Sequence, residues 1–136
     1  MKNEINIKAD FLTFENQIIE EFGKQYAEQA ELFFERSVEH AKQGFEQSAI
    51  AYGKFALEQS NYSNDKTGLS SLIGFISQLH CDLGKINQSK AYYELGLNLL
   101  DSESIDYEDD KEMYRKLKEH IDSESWKGGI EDDGDK

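Results

Sequence analysis

The amino-acid sequence predicts an all-α domain, and three observations carry that prediction. The chain contains no proline. Apolar residues recur at intervals of three and four, and no run alternates at the period of two expected of a half-buried strand. A stretch of the chain also repeats itself forty residues later. With 136 residues, 38% hydrophobic and 12% aromatic, there is enough apolar side chain to bury one core. Residues 1–126 are assigned to a single domain.

The repeat sets the order of elements, because self-similarity at a fixed period marks stacked supersecondary units. A shift of forty superimposes Leu32 on Leu72, Ser37 on Ser77, His40 on His80, Gly44 on Gly84, Tyr52 on Tyr92 and Leu57 on Leu97. Each unit reads as helix, glycine turn, helix: Ala30 to Gln43 and Gln47 to Gln59, then Leu69 to Leu83 and Gln88 to Leu100. Gly44 and Gly84 stand where a helix must stop, since glycine enters the left-handed region without steric cost. Ala49 and Ala91 are expected at close helix contacts. Ahead of the units, Phe11, Phe14, Ile18, Ile19 and Phe22 form a helical stripe with Asp10 as its expected cap; Gly23 either ends that helix or lies within a longer one. After them, Tyr107, Met113, Tyr114, Leu117 and Ile121 mark one side of a terminal helix, which covers an apolar end that a stack would otherwise expose. About six helices result, capping helices included. Residues 127–136, with two adjacent glycines and little to bury, are expected to be a disordered acidic tail.

These units resemble tetratricopeptide repeats, whose pattern sets large and small residues at fixed places in two helices. In the second unit Ile73, Ile76, Ser77 and His80 hold the first-helix places, Gly84 the turn, and Ser89, Tyr93 and Gly96 the second-helix places. In the first unit these are Phe33, Arg36, Ser37, His40, Gly44, Ala49, Gly53 and Ala56. Ser stands at the usual glycine, Gly53 at a usual aromatic, and Asn61 and Asp101 at the usual proline. The resemblance implies a short right-handed stack of antiparallel helical hairpins with a concave groove. Some relatives clamp a peptide carboxylate with Lys, Asn and Arg; here Phe34, Val38 and Phe75 occupy three of those places and only Lys111 and Arg115 match, which implies an apolar ligand instead.

Little in the chain points to chemistry. His40, His80 and His120 recur in a row, and helices about 8–10 Å apart do not bring such a row within reach of one metal; they read as packing residues. Asp101 to Glu112 begins with Asp and ends with Glu like a calcium loop, but Ile105 takes a ligand position and Asp106 the position of the turn glycine. It reads as a solvated acidic loop. His80 and Cys81 are adjacent on a helix and point about 100° apart, which excludes a nucleophile and base pair within it. No catalytic, cofactor-binding or metal-ligating residue is assigned.

The net charge of −13 disfavours nucleic acid and anionic membranes, both of which are bound through Lys and Arg. A basic protein partner fits it better. One cysteine, with no leader and no long apolar run, leads to an expected cytoplasmic location. The expected function is a non-enzymatic protein-binding module, most concretely an acidic immunity-type inhibitor or chaperone of a basic protein. A peptide adaptor using the concave groove is the alternative, and an enzyme with a dispersed site is the rival of another class. Candidate partner-binding residues are Phe34, Val38 and Phe75, and in the acidic stretch Asp106, Glu108, Asp109 and Asp110. Oligomeric state is left open by the sequence.

Overall fold

The computed structural model describes the backbone of residues 2–63 and 66–128, and side chains at residue 17 and within 20–63 and 66–125. Five helices and no strand occur among these: α1 (Lys2–Lys42), α2 (Glu46–Tyr62), α3 (Leu69–Asp82), α4 (Ile86–Leu97) and α5 (Tyr107–Gly128). α1 packs on α2, α2 on α3, and α3 on α4, while α5 lies against both α3 and α4. The molecule is thus two antiparallel hairpins side by side, the second covered by a single helix.

Both hairpin turns close in the same way. Gly44 and Gly84 have φ of +86° and +75°. The Phe45 amide donates to the His40 carbonyl at 2.9 Å and the Lys85 amide to the His80 carbonyl at 2.9 Å, the six-to-one bond of a helix ended by a left-handed glycine. The repeat therefore extends to individual backbone hydrogen bonds.

It also extends into the core. The Ser37 hydroxyl donates to the Ala49 carbonyl at 2.5 Å, and forty residues on, the Ser77 hydroxyl donates to the Ser89 carbonyl at 2.6 Å. Each bond spans the two helices of one hairpin, and all four residues are fully buried. Helices approach this closely only where the facing side chains are small. Between the hairpins Gly53 of α2 sets the same kind of limit, since an added Cβ there would lie 3.0 Å from Ile76 Cγ1 of α3.

Three sequence expectations are corrected. α1 runs unbroken through Gly23, which is not among the left-handed glycines, so the first two expected helices are one and the described total is five. Asp10 consequently lies inside α1 and not at its start. Ala91 is exposed; the residue one repeat beyond buried Ala49 is Ser89. The stripe residues Phe11, Phe14, Ile18 and Ile19 lie outside the described side chains, while Phe22 is exposed. Of the expected tail, Lys127 and Gly128 belong to α5 and the remainder lies outside the described residues.

Because Ala49 is fully buried and Ala91 faces water, the two respond differently to enlargement. Ala49→Leu is expected to lower stability by about 1–3 kcal/mol through overpacking, and Ala91→Leu to stay within about 0.5 kcal/mol of the parent. Urea unfolding followed by circular dichroism measures both, and equal effects would contradict the assigned register.

Candidate functional site

The terminal helix is fixed first, since it completes the surface on which the candidate residues lie. α5 buries Tyr114, Leu117 and Ile121 against Cys81 and Ile86. Tyr114 reaches deepest: its hydroxyl donates to the Ser70 carbonyl at 2.6 Å, and its ring lies 5.7 Å from that of Tyr93. Two glycines make the room. A Cβ on Gly96 would sit 2.7 Å from Tyr114 Cζ, and one on Gly74 would sit 2.5 Å from Met113 Cε. Beside them, the Ser70 hydroxyl donates to Asp110 at 2.9 Å.

With α5 in place, α1, α3 and α5 share a face that gathers most of the candidate apolar residues. The rings of Phe34 on α1 and Phe75 on α3 meet at 5.6 Å, and both remain half-buried. Phe34 and Val38 line one shallow depression with Glu31 and Glu35. Phe75 lines a cleft of about 380 Å³ between α3 and α5 with Gln78, Asp109, Glu112, Met113 and Lys116. Phe34 also borders a third cleft, where Ala27 and Ala30 of α1 face Leu69 and Leu72 of α3. Apolar floors rimmed by carboxylates are the common feature.

The acidic candidates separate. Asp109 joins Phe75 in its cleft, and Asp106 and Glu108 are exposed. Asp110 is half-buried and bonded to Ser70; it anchors the start of α5, so its part in the site is positional. In the loop between α4 and α5, the Glu103 amide donates to Asp101 and the Asp106 amide to the Ser104 hydroxyl. Ile105 stands there 96% exposed.

Arg115 does not offer a free cation. Its Nε and Nη2 donate to the two oxygens of Glu112 at 2.9 and 2.6 Å, and its Nη1 donates to Glu119 at 2.6 Å. The Arg115 hydrogen bond holds the Glu112 carboxyl below its ordinary range. Lys111 lies over the Tyr107 ring at 5.8 Å.

The three histidines occupy separate surroundings. His80 is buried, with Nδ1 2.9 Å from the Ile76 carbonyl and its ring stacked 5.1 Å from Tyr92. His40 lies 4.8 Å from Tyr52, while His120 Nδ1 is 2.6 Å from the Gln78 amide. Among the described residues no three His, Cys, Asp or Glu side chains are grouped to hold a metal, and no helix is long and apolar enough to cross a membrane.

Sequence reasoning did not reach Gln78, Met113 and Lys116 as neighbours of Phe75, nor the anchoring role of Asp110. The available signal was glycine inside helices: Gly74 and Gly96 mark where a neighbouring side chain enters. No family model, curated protein or solved structure matches the chain.

Cys81 is 2% exposed, and burial, with the Asp82 and Glu124 carboxylates adding to it, pushes its thiol up from 9.0 to about 11 against an opposing Ser89 hydrogen bond. Burial likewise raises Tyr114, with Asp110 adding to the effect. For both groups the fold prefers the neutral form. The stability this preference contributes is fully present below the unfolded pKa and is lost as pH rises through the folded one. Stability is therefore expected to hold to about pH 9 and fall toward pH 11. Urea unfolding at about pH 8 and about pH 10.5 should show a smaller loss in Cys81→Ala than in the parent, although that variant starts lower through its cavity. Identical alkaline losses would contradict the assignment.

Proposed function

We propose that this chain is a non-enzymatic protein-interaction module, built as a tetratricopeptide-like right-handed stack of hairpins and acting in the cytoplasm as an acidic inhibitor or chaperone of a basic partner protein. The observation that carries the reading is the acid-rimmed apolar face of α1, α3 and α5. Phe34, Val38 and Phe75 supply area that gains by leaving water, and Glu31, Glu35 and Asp109 surround it with negative charge. Binding energy at an interface concentrates in a few desolvated aromatic anchors inside a polar rim, and the Phe34–Phe75 pair suits that role. An immunity-type inhibitor is the most concrete form, because a field of one sign speeds capture of a partner of the other. The apolar cleft between α1 and α3 favours a second reading, a peptide adaptor, which would bind with weak dependence on salt. An enzyme with a dispersed site gains no support from the buried, protonated state of Cys81.

A photocrosslinking side chain at Gln78 is expected to capture a basic protein in the native host, and one at exposed Lys54 on α2 is not. With that partner in hand, Asp106→Asn, Glu108→Gln and Asp109→Asn together should slow association and flatten its salt dependence, since such steering is screened beyond about 8–10 Å. Asp110 is left intact because it anchors α5. Phe34→Ala and Phe75→Ala should instead raise the dissociation rate by about tenfold or more. Equal crosslinking from both sites, or a partner as acidic as this chain, would defeat the proposal.

A further inference from the structure

One side chain ties α3 to α5 at the wall of the Phe75 cleft. The Gln78 amide Nε2 donates to the Asp82 carboxylate on α3 at 2.7 Å, and the same nitrogen lies 2.6 Å from His120 Nδ1 on α5. A carboxylate only accepts, so the amide atom facing Asp82 is the nitrogen, and its second hydrogen is left for the imidazole. His120 Nδ1 therefore accepts. The ring proton then sits on Nε2, which lies 3.7 Å from a Glu124 oxygen. This arrangement admits one state of the ring alone, the neutral Nε2–H tautomer. An imidazolium carries a hydrogen on both nitrogens, and its Nδ1–H would meet the amide N–H, donor against donor. Turning the amide over relieves that clash but sets Oε1 against the Asp82 oxygen, acceptor against acceptor. No orientation of Gln78 serves Asp82 and a charged His120 together.

We propose that His120 is a pH-sensitive latch on the Phe75 cleft. The proposal rests on the reading of that cleft as part of the docking face for a basic protein, and it adds a regulation of the same site. While His120 is neutral, the amide is pinned between the two helices, and Gln78 forms a fixed wall of the cleft with Phe75 and Met113. When His120 takes up a proton the bridge opens, the Gln78 wall is released, and a positive charge appears beside the acidic rim. Both changes act against a basic partner. The groups around the ring are few. On α3 they are Asp82 and the neighbouring thiol of Cys81, which burial keeps neutral. On α5 they are Glu124 and, one turn earlier, Lys116 on the cleft, while Glu119 is taken by Arg115. α4, the other helix packed on α5, meets it through Ile86 and Tyr93, and Tyr93 is its titratable group there.

Nitrogen-detected NMR of the full chain, with no partner added, tests the latch. At about pH 8, where an ordinary histidine is neutral, His120 is expected as the Nε2–H tautomer, with a scalar coupling across the hydrogen bond between its Nδ1 and Gln78 Nε2. On acidification to about pH 5, through the range in which histidine changes charge, that coupling should vanish. The Gln78 side-chain amide signals should shift with the same midpoint as the His120 ring, and the Phe75 ring signals should follow them. In His120→Phe the Gln78 amide signals should hold still across the same range. An Nδ1–H tautomer at about pH 8 would overturn the proposal. So would Gln78 signals that ignore the His120 titration in the parent, or that move equally in His120→Phe. Because the chain is alone in these measurements, their failure is distinct from a failure of the docking reading, which the crosslinks at Gln78 and Lys54 decide.

Discussion

Everything in the molecule follows from how closely two helices of a hairpin approach where a buried serine hydroxyl meets a carbonyl. Ser37 to Ala49 and Ser77 to Ser89 are the same contact one repeat apart. In the second hairpin it is reciprocal, since the Ser89 hydroxyl donates to the Ser77 carbonyl at 2.8 Å. A buried hydroxyl without a partner is costly, so these residues fix the register as well as the spacing. Small residues also let the next element approach the second helices: Gly53 and Ala56 face Ile76 of α3, and Gly96 faces Tyr114 of α5. Gly96 with Gly74 then leaves the recess that Tyr114 fills, and Tyr114 with Asp110 seats α5. The face holding Phe75, Asp109 and Met113 exists only because that chain of contacts closes.

Much of this was legible in the sequence where one residue type has one physical use. Gly44 and Gly84 end helices because the backbone there needs positive φ, and that requirement shows directly as a repeated glycine. The buried faces of α3 and α5 were legible from helical periodicity. Gly23 was ambiguous for a physical reason: glycine is tolerated inside a helix at roughly 1 kcal/mol, so its presence does not distinguish an end from an interior. Ala91 was assigned wrongly because small size alone was read as burial, whereas the repeat register points to Ser89. Asp110 looked like any other member of an acidic run. Its partner Ser70 lies forty residues away, and only the docking of α5 brings them together.

The surfaces divide by electrostatics. The loop after α4 and the start of α5 concentrate negative charge with one fully exposed apolar residue, Ile105. The α1, α3 and α5 face mixes aromatic floor and acidic rim, and the outer side of the first hairpin exposes Leu32 and Phe55 among charged residues. A protein of this net charge keeps copies apart wherever carboxylates dominate.

The claim that a single buried contact organises both hairpins has a direct test in the paired variants Ser37→Val and Ser77→Val. Each replaces the hydroxyl with a methyl group and adds a second methyl where the helices have no space. Both should lower stability by a comparable amount, about 1–3 kcal/mol, in one cooperative transition followed by tyrosine fluorescence and circular dichroism together. One variant as stable as the parent, or hairpins that melt separately in the parent, would contradict the account.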